Sequence, residues 1–137
     1  MPSKRINFAQ SIEELDGVKW SAPNEDSSHL VLECHRLRKI AVANLTVEHI
    51  RMLIGQDIGL QYLVPIALDF LAENPWIAGD DYDGDLLFNV LRIDPGYWSS
   101  NEKQLSRLAQ IMDELNGKAK FLARDLQPAW QKIFSND

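Results

Sequence analysis

The sequence predicts an all-α fold, a single compact domain of about six helices spanning residues 1–137. Three observations lead there. Apolar residues recur at i, i+3 and i+4 in nearly every segment, and the one run that reads as a strand, Leu30-Val31-Leu32, lies inside such a pattern. Helix-starting and helix-stopping residues punctuate these stripes. At 137 residues, 45% apolar and 25% charged, the chain is long enough to fill one core and too short for two full-sized domains.

The elements follow in order. Residues 1–10 are a candidate disordered segment. Ser11-Ile12-Glu13-Glu14 reads as a capping box opening a short helical turn, and Gly17 closes it. Residues 27–37 form a helix with Leu30, Cys34 and Leu37 on one face. Thr46 is the expected N-cap of the next, with Val47, Ile50, Leu53 and Ile54 at helical spacing. Gly55 and Gly59 bracket a turn. The longest stripe, Leu60, Leu63, Val64, Ala67, Leu68 and Leu71, carries Pro65 near its first turn, where a missing N–H matters little, and stops at Asn74-Pro75. Residues 75–84 are loop. Leu86, Leu87, Val90 and Leu91 make a short helix with Asp83 or Asp85 as its cap, and Asp94-Pro95-Gly96 ends it with turn chemistry. Ser99-Ser100-Asn101-Glu102 is a second capping box, starting a helix that runs to Asn116-Gly117. A last stripe, from Ala119 to Ile133, passes through Pro128, so one kinked helix or two abutting ones are expected.

Composition removes several classes of function. One cysteine, Cys34, allows no internal disulfide and excludes a secreted disulfide scaffold. The longest unbroken apolar run is six residues, 63–68, and contains a proline; a membrane-spanning helix needs about twenty. The basic start, Lys4-Arg5, is followed by no apolar stretch, so a secretory signal is not expected and a cytoplasmic location is. The net charge is −6, and residues 61–100 hold all of it, with one base, Arg92, against seven acids. That balance argues against nucleic-acid binding through phosphates and for a metal ion or a basic protein partner.

No motif completes a catalytic or metal site. Asp81-x-Asp83-x-Asp85 has carboxylates at alternate positions, as a calcium loop does. The sixth position is Leu86 where glycine is required, and the twelfth is Arg92 where glutamate is required. His29 and Glu33 stand at i, i+4 without further ligands, and His35 and His49 fall elsewhere. Cys34 shares the apolar face of Leu30 and Leu37, which makes it a buried thiol rather than a nucleophile activated by His35. Phosphate loops, serine elbows and HExxH are absent. Catalytic residues, metal and cofactor are therefore all expected to be none. Arg36, Arg38 and Lys39 make a short basic patch, facing solvent or pairing with the acidic loop.

The middle of the chain resembles a bacterial family. Cys34-His35-Arg36-Leu37-Arg38-Lys39-Ile40, the run from Leu45 to Leu60 with Leu53-Ile54-Gly55-Gln56 at its centre, Tyr62 to Leu68, and Gly79-Asp80-Asp81-Tyr82-Asp83-Gly84-Asp85-Leu86-Leu87 are similar to immunity proteins of contact-dependent growth inhibition systems. The similarity covers about residues 27–92. It implies a non-catalytic cytoplasmic protein that neutralises the C-terminal toxin domain of a large secreted effector, often a nuclease. The charge agrees in sign, because a nuclease attracts phosphate with a basic cleft and a fixed acidic surface suits an inhibitor that occupies it. The residues expected to meet the toxin are Asp80, Asp81, Asp83 and Asp85, with Tyr82, Trp76, Tyr97 and Trp98 as aromatic contacts. Two other readings stand beside it. One is a small metal-dependent hydrolase built on the 80–85 acidic loop; the other is a helical adaptor without enzymatic activity.

Overall fold

The computed structural model describes residues 6–135, so residues 1–5 of the candidate disordered segment lie outside the described residues. The chain is 64% helical, and among the described residues there is no strand, only two isolated bridges. The helices are α1 (Ile12–Asp16), α2 (His29–Leu37), α3 (Val47–Gly55), α4 (Leu60–Glu73), α5 (Asp85–Leu91), α6 (Pro95–Ser99), α7 (Glu102–Phe121) and α8 (Gln127–Lys132), with a short 3-10 turn at Val42–Asn44. They form two compact units that divide between Pro95 and Gly96.

In the first unit, capping chemistry starts the helices where the sequence places it. Ser11 and Glu14 exchange the reciprocal bonds of a capping box, and Gly17 ends α1 in the left-handed region at φ 71°. Thr46 caps α3, and His49 takes the role usually given to Glu or Gln: its Nδ1 accepts the Thr46 N–H at 3.2 Å. Ser28 caps α2 through the Val31 N–H. Just before α1, the Val42 N–H donates to the Gln10 carbonyl and the Ala43 N–H to the Phe8 carbonyl, each at 2.9 Å.

The core lies between α3, α4 and α5, with α2 against α3. Leu53, Leu63, Val64, Ala67, Leu68, Leu86 and Val90 have no accessible surface. Burying a leucine this completely contributes about 1.5–3 kcal/mol. Ile12 joins them, and position 59 suits glycine twice over: its φ is 66°, and a Cβ there would stand 2.8 Å from the Ile12 Cδ1.

Several local expectations are corrected. Pro65 is the sixth residue of α4, inside the helix rather than in its first turn. Its missing N–H removes a bond to Gln61, which sits on an exposed face. Pro95 is the first residue of the short α6 rather than part of a plain turn, since its fixed φ suits a helix start. Leu30 stays 37% exposed although Cys34 and Leu37 on the same helix are buried.

In the second unit the N-cap of α7 is Asn101 rather than Ser99, and the Asn101 side chain donates to the Tyr97 carbonyl at 2.7 Å. Nor does Gly117 stop α7, because a glycine inside a helix costs only about 1 kcal/mol. The expected break at Pro128 takes the form of a π-helical segment, Leu122–Leu126. There the Gln127 N–H reaches back to the Leu122 carbonyl, a five-residue step that widens the helix ahead of a proline with no N–H to give.

Candidate functional site

Between α4 and α5 the chain makes a tightly tied loop, residues 74–85. Asn74 stops α4 and its side chain accepts the Trp76 N–H at 3.1 Å. The Gly84 N–H returns to the Trp76 carbonyl at 3.0 Å, and Ala78 and Asp83 form a bridge. Gly84 makes that return in the left-handed region at φ 90°, a conformation that favours glycine.

The loop is held from inside by two carboxylates. Asp85, expected as a helix cap, is instead the first residue of α5, and it turns its side chain back into the loop. Oδ1 accepts the Gly79 N–H at 2.7 Å, and Oδ2 accepts those of Asp81 and Tyr82 at 3.1 and 3.3 Å. Glu48, on α3, accepts the Asp80 N–H at 2.8 Å. Four consecutive backbone donors are thus satisfied by two side chains, which a loop this close to the core requires.

Arg51 ties both carboxylates together. It makes a forked contact with Glu48, lies 3.2 Å from Asp81 and 3.7 Å from Asp85, and is itself largely buried. Burial opposes the charge on Asp85, yet the three N–H donors and Arg51 outweigh it and hold the carboxyl below its usual value. Glu48 is lowered too, first by its hydrogen bond to Arg51, against burial and with help from the Asp80 N–H. Arg51 is raised, chiefly by Glu48.

The residues expected to meet a partner therefore divide. Asp80, Asp81, Tyr82, Asp83 and Trp76 are exposed on one loop, Trp76 at 60% and Tyr82 at 52%. Asp81 is partly neutralised by Arg51, while the Asp80 and Asp83 side chains have no bonding partner among the described residues. Asp85 is 1% exposed and spends both oxygens within the loop. Tyr97 and Trp98 belong to the other unit, where they meet edge to face at 5.1 Å, and Trp98 is buried.

A polar cleft of about 510 Å³ opens beside the loop, lined by Arg51, Asp57, Asp81, Tyr82, Phe88 and Arg92 among others. Arg92 lies 5.5 Å above the Phe88 ring. Among the described residues no three His, Cys, Asp or Glu side chains gather as a metal would require. No helix there is long and apolar enough to cross a membrane.

Sequence reasoning missed Arg51, whose one signal was its i, i+3 spacing from Glu48. It also misplaced Arg38. Expected in an exposed patch, Arg38 is 3% exposed, bonded to Asp16 at 2.8 Å and to the Val18 carbonyl at 3.0 Å, with its guanidinium 4.2 Å from the Trp20 ring centroid. Arg36 pairs with Glu33 on its own helix, and Cys34 is buried, which raises its thiol pKa.

No curated protein and no solved structure matches the chain. The family model described as CDI immunity proteins matches residues 14–108, a span that includes α2 to α5 and the whole tied loop. With most of its length inside that match, the chain belongs to the family of CDI immunity proteins.

Proposed function

We propose that the protein acts in the cytoplasm as the non-catalytic inhibitor of one CDI toxin. In this reading it binds a basic nuclease domain through the 74–85 loop and shields the active site. Family membership supplies the coarser part, immunity to a CDI toxin. The finer part rests on one observation: a loop fixed from inside by Asp85 and Glu48 that presents Asp80, Asp83, Tyr82 and Trp76 outward. A loop already in shape loses little entropy on binding, and its charge raises the rate at which a basic partner is captured. Capture rate matters to an inhibitor that must act before an entering toxin does.

The test replaces Asp80 and Asp83 together with Asn, leaving Asp81 and Asp85 to hold the loop. The readout is association with the C-terminal domain of the cognate CDI effector, at low and high salt. The association rate should fall about tenfold at low salt and its salt dependence should flatten. An unchanged rate and salt slope in a protein of unchanged melting temperature would place the contact elsewhere.

A further inference from the structure

α3 ends on a left-handed residue that is not glycine. The Asp57 N–H donates to the Ile54 carbonyl at 3.0 Å and the Ile58 N–H to the Leu53 carbonyl at 2.9 Å, the paired bonds of a Schellman stop. Such a stop puts one residue at positive φ, and here Asp57 holds it at 58°. Glycine takes that conformation freely, and aspartate is one of the few residues with a Cβ that also visits it, at a small cost.

Asp57 stands on a ridge. On one side Gln56 and Asp57 line the polar cleft beside the 74–85 loop; on the other they line an apolar concavity of about 340 Å³. Trp20, Leu30, Val31 and Ile58 supply the apolar wall of that concavity. Trp20 is 39% exposed yet fixed, stacked on buried Arg38 and met edge-on by His35 at 4.9 Å. Leu30 and Val31 are 37% and 41% exposed beside it. A held aromatic ring next to exposed aliphatic side chains has contact area to offer and little rotamer freedom to lose, which is what the centre of a protein interface needs.

We propose that this concavity is the apolar half of the toxin-binding surface, continuous with the acidic loop across the Gln56–Asp57 ridge. It would receive an apolar side chain of the toxin, flanked by the toxin's cationic residues. The proposal rests on the loop reading above. The shared wall argues for a single occupant: a protein seated on the loop and in the polar cleft has the Gln56–Asp57 ridge between it and the Trp20 side. The two halves then divide the work. Charge on the loop sets the encounter rate, and apolar burial at Trp20 sets the lifetime of the complex.

Two variants and one footprint test it, with the C-terminal domain of the cognate CDI effector as probe. Leu30→Gln with Val31→Gln keeps the charge; it should raise the dissociation rate tenfold or more and leave the association rate within twofold. Asp57→Gly should bind several-fold more weakly while melting no lower than the parent, a combination that a purely structural role for Asp57 would not give. If both bind like the parent, the proposal falls, and Asp80→Asn with Asp83→Asn decides the loop reading separately. Amide exchange on the unmutated complex does not depend on how the variants fold. Protection of 29–35 and 56–58 together with 76–83 supports the proposal. Protection confined to 76–83 overturns it and leaves the loop reading standing. Protection at neither overturns both.

Discussion

Gly79 lies so close to the Glu48 carboxylate that a Cβ on it would stand 2.3 Å from Oε2. The loop backbone is seated directly on the Glu48–Arg51 pair, with its neighbour Asp80 donating to that same oxygen. Gly79→Ala should therefore push the loop off α3 and destabilise the protein by about 1–3 kcal/mol, the range for overpacking. Chemical denaturation measures the loss, and faster amide exchange at residues 79–82 than elsewhere would localise it. A variant of unchanged stability would mean that Glu48 can swing aside.

Asp85→Asn tests the carboxylate at the loop's centre. The amide keeps the size but turns a donor toward backbone N–H groups and leaves Arg51 less neutralised, a cost of about 2–4 kcal/mol.

The pH dependence has a definite sign. The Asp85 and Glu48 carboxyls are held below their ordinary values in the folded chain. Their contribution is fully present above the unfolded value, near 4, and is lost as pH falls through the lower folded values. The melting temperature of the parent should drop over that acid range, and Asp85→Asn should show a shallower drop there.

Arg38→Met should cost about 1–3 kcal/mol despite keeping an unbranched apolar chain, because it gives up the charged hydrogen bonds to Asp16 and to the Val18 carbonyl. Trp20 should respond as well, since the cation stacked on its ring is gone. Its emission would shift to longer wavelength as the ring becomes more solvated; the Trp20→Phe background identifies that signal among the four tryptophans.

Pro128→Ala restores the N–H that the helix lacks there. Residues 122–126 should revert from π to α geometry, seen as carbon chemical shifts moving toward regular helix values in that stretch alone. Helix stability should rise rather than fall, as interior prolines cost about 3 kcal/mol relative to alanine.

What was legible in the sequence was chemistry that acts within four residues. Ser11 with Glu14, Thr46, Gly17 and Asn74 do in the fold what their spacing says. The i, i+3, i+4 stripes likewise place the core of α3 and α4 correctly. What was hidden depends on groups far apart in the chain. Asp85 reads as a cap by position, and only the return of residues 79–82 shows that it serves the loop. Arg38 looks like a surface base until Asp16, 22 residues away, is seen to hold it. The Asn116-Gly117 stop failed because Gly117 is carried inside α7, where a helical glycine costs only about 1 kcal/mol. Of the aromatic residues expected to meet a partner, Trp76 and Tyr82 do share one exposed loop, but their spacing could not tell that Trp98 is buried.

The tied loop separates shape from identity. Gly79, Gly84, Asp85, Glu48 and Arg51 set the path of the backbone, and all five are turned inward. Asp80, Tyr82 and Asp83 give up nothing but backbone bonds to that path, so exchanging their side chains costs the fold little, within about 0.5 kcal/mol for ordinary surface changes. Such a loop can be re-lettered at three neighbouring positions without being rebuilt. With the loop as the toxin contact proposed above, a lineage carrying it would follow a changing toxin one substitution at a time, staying folded at every step.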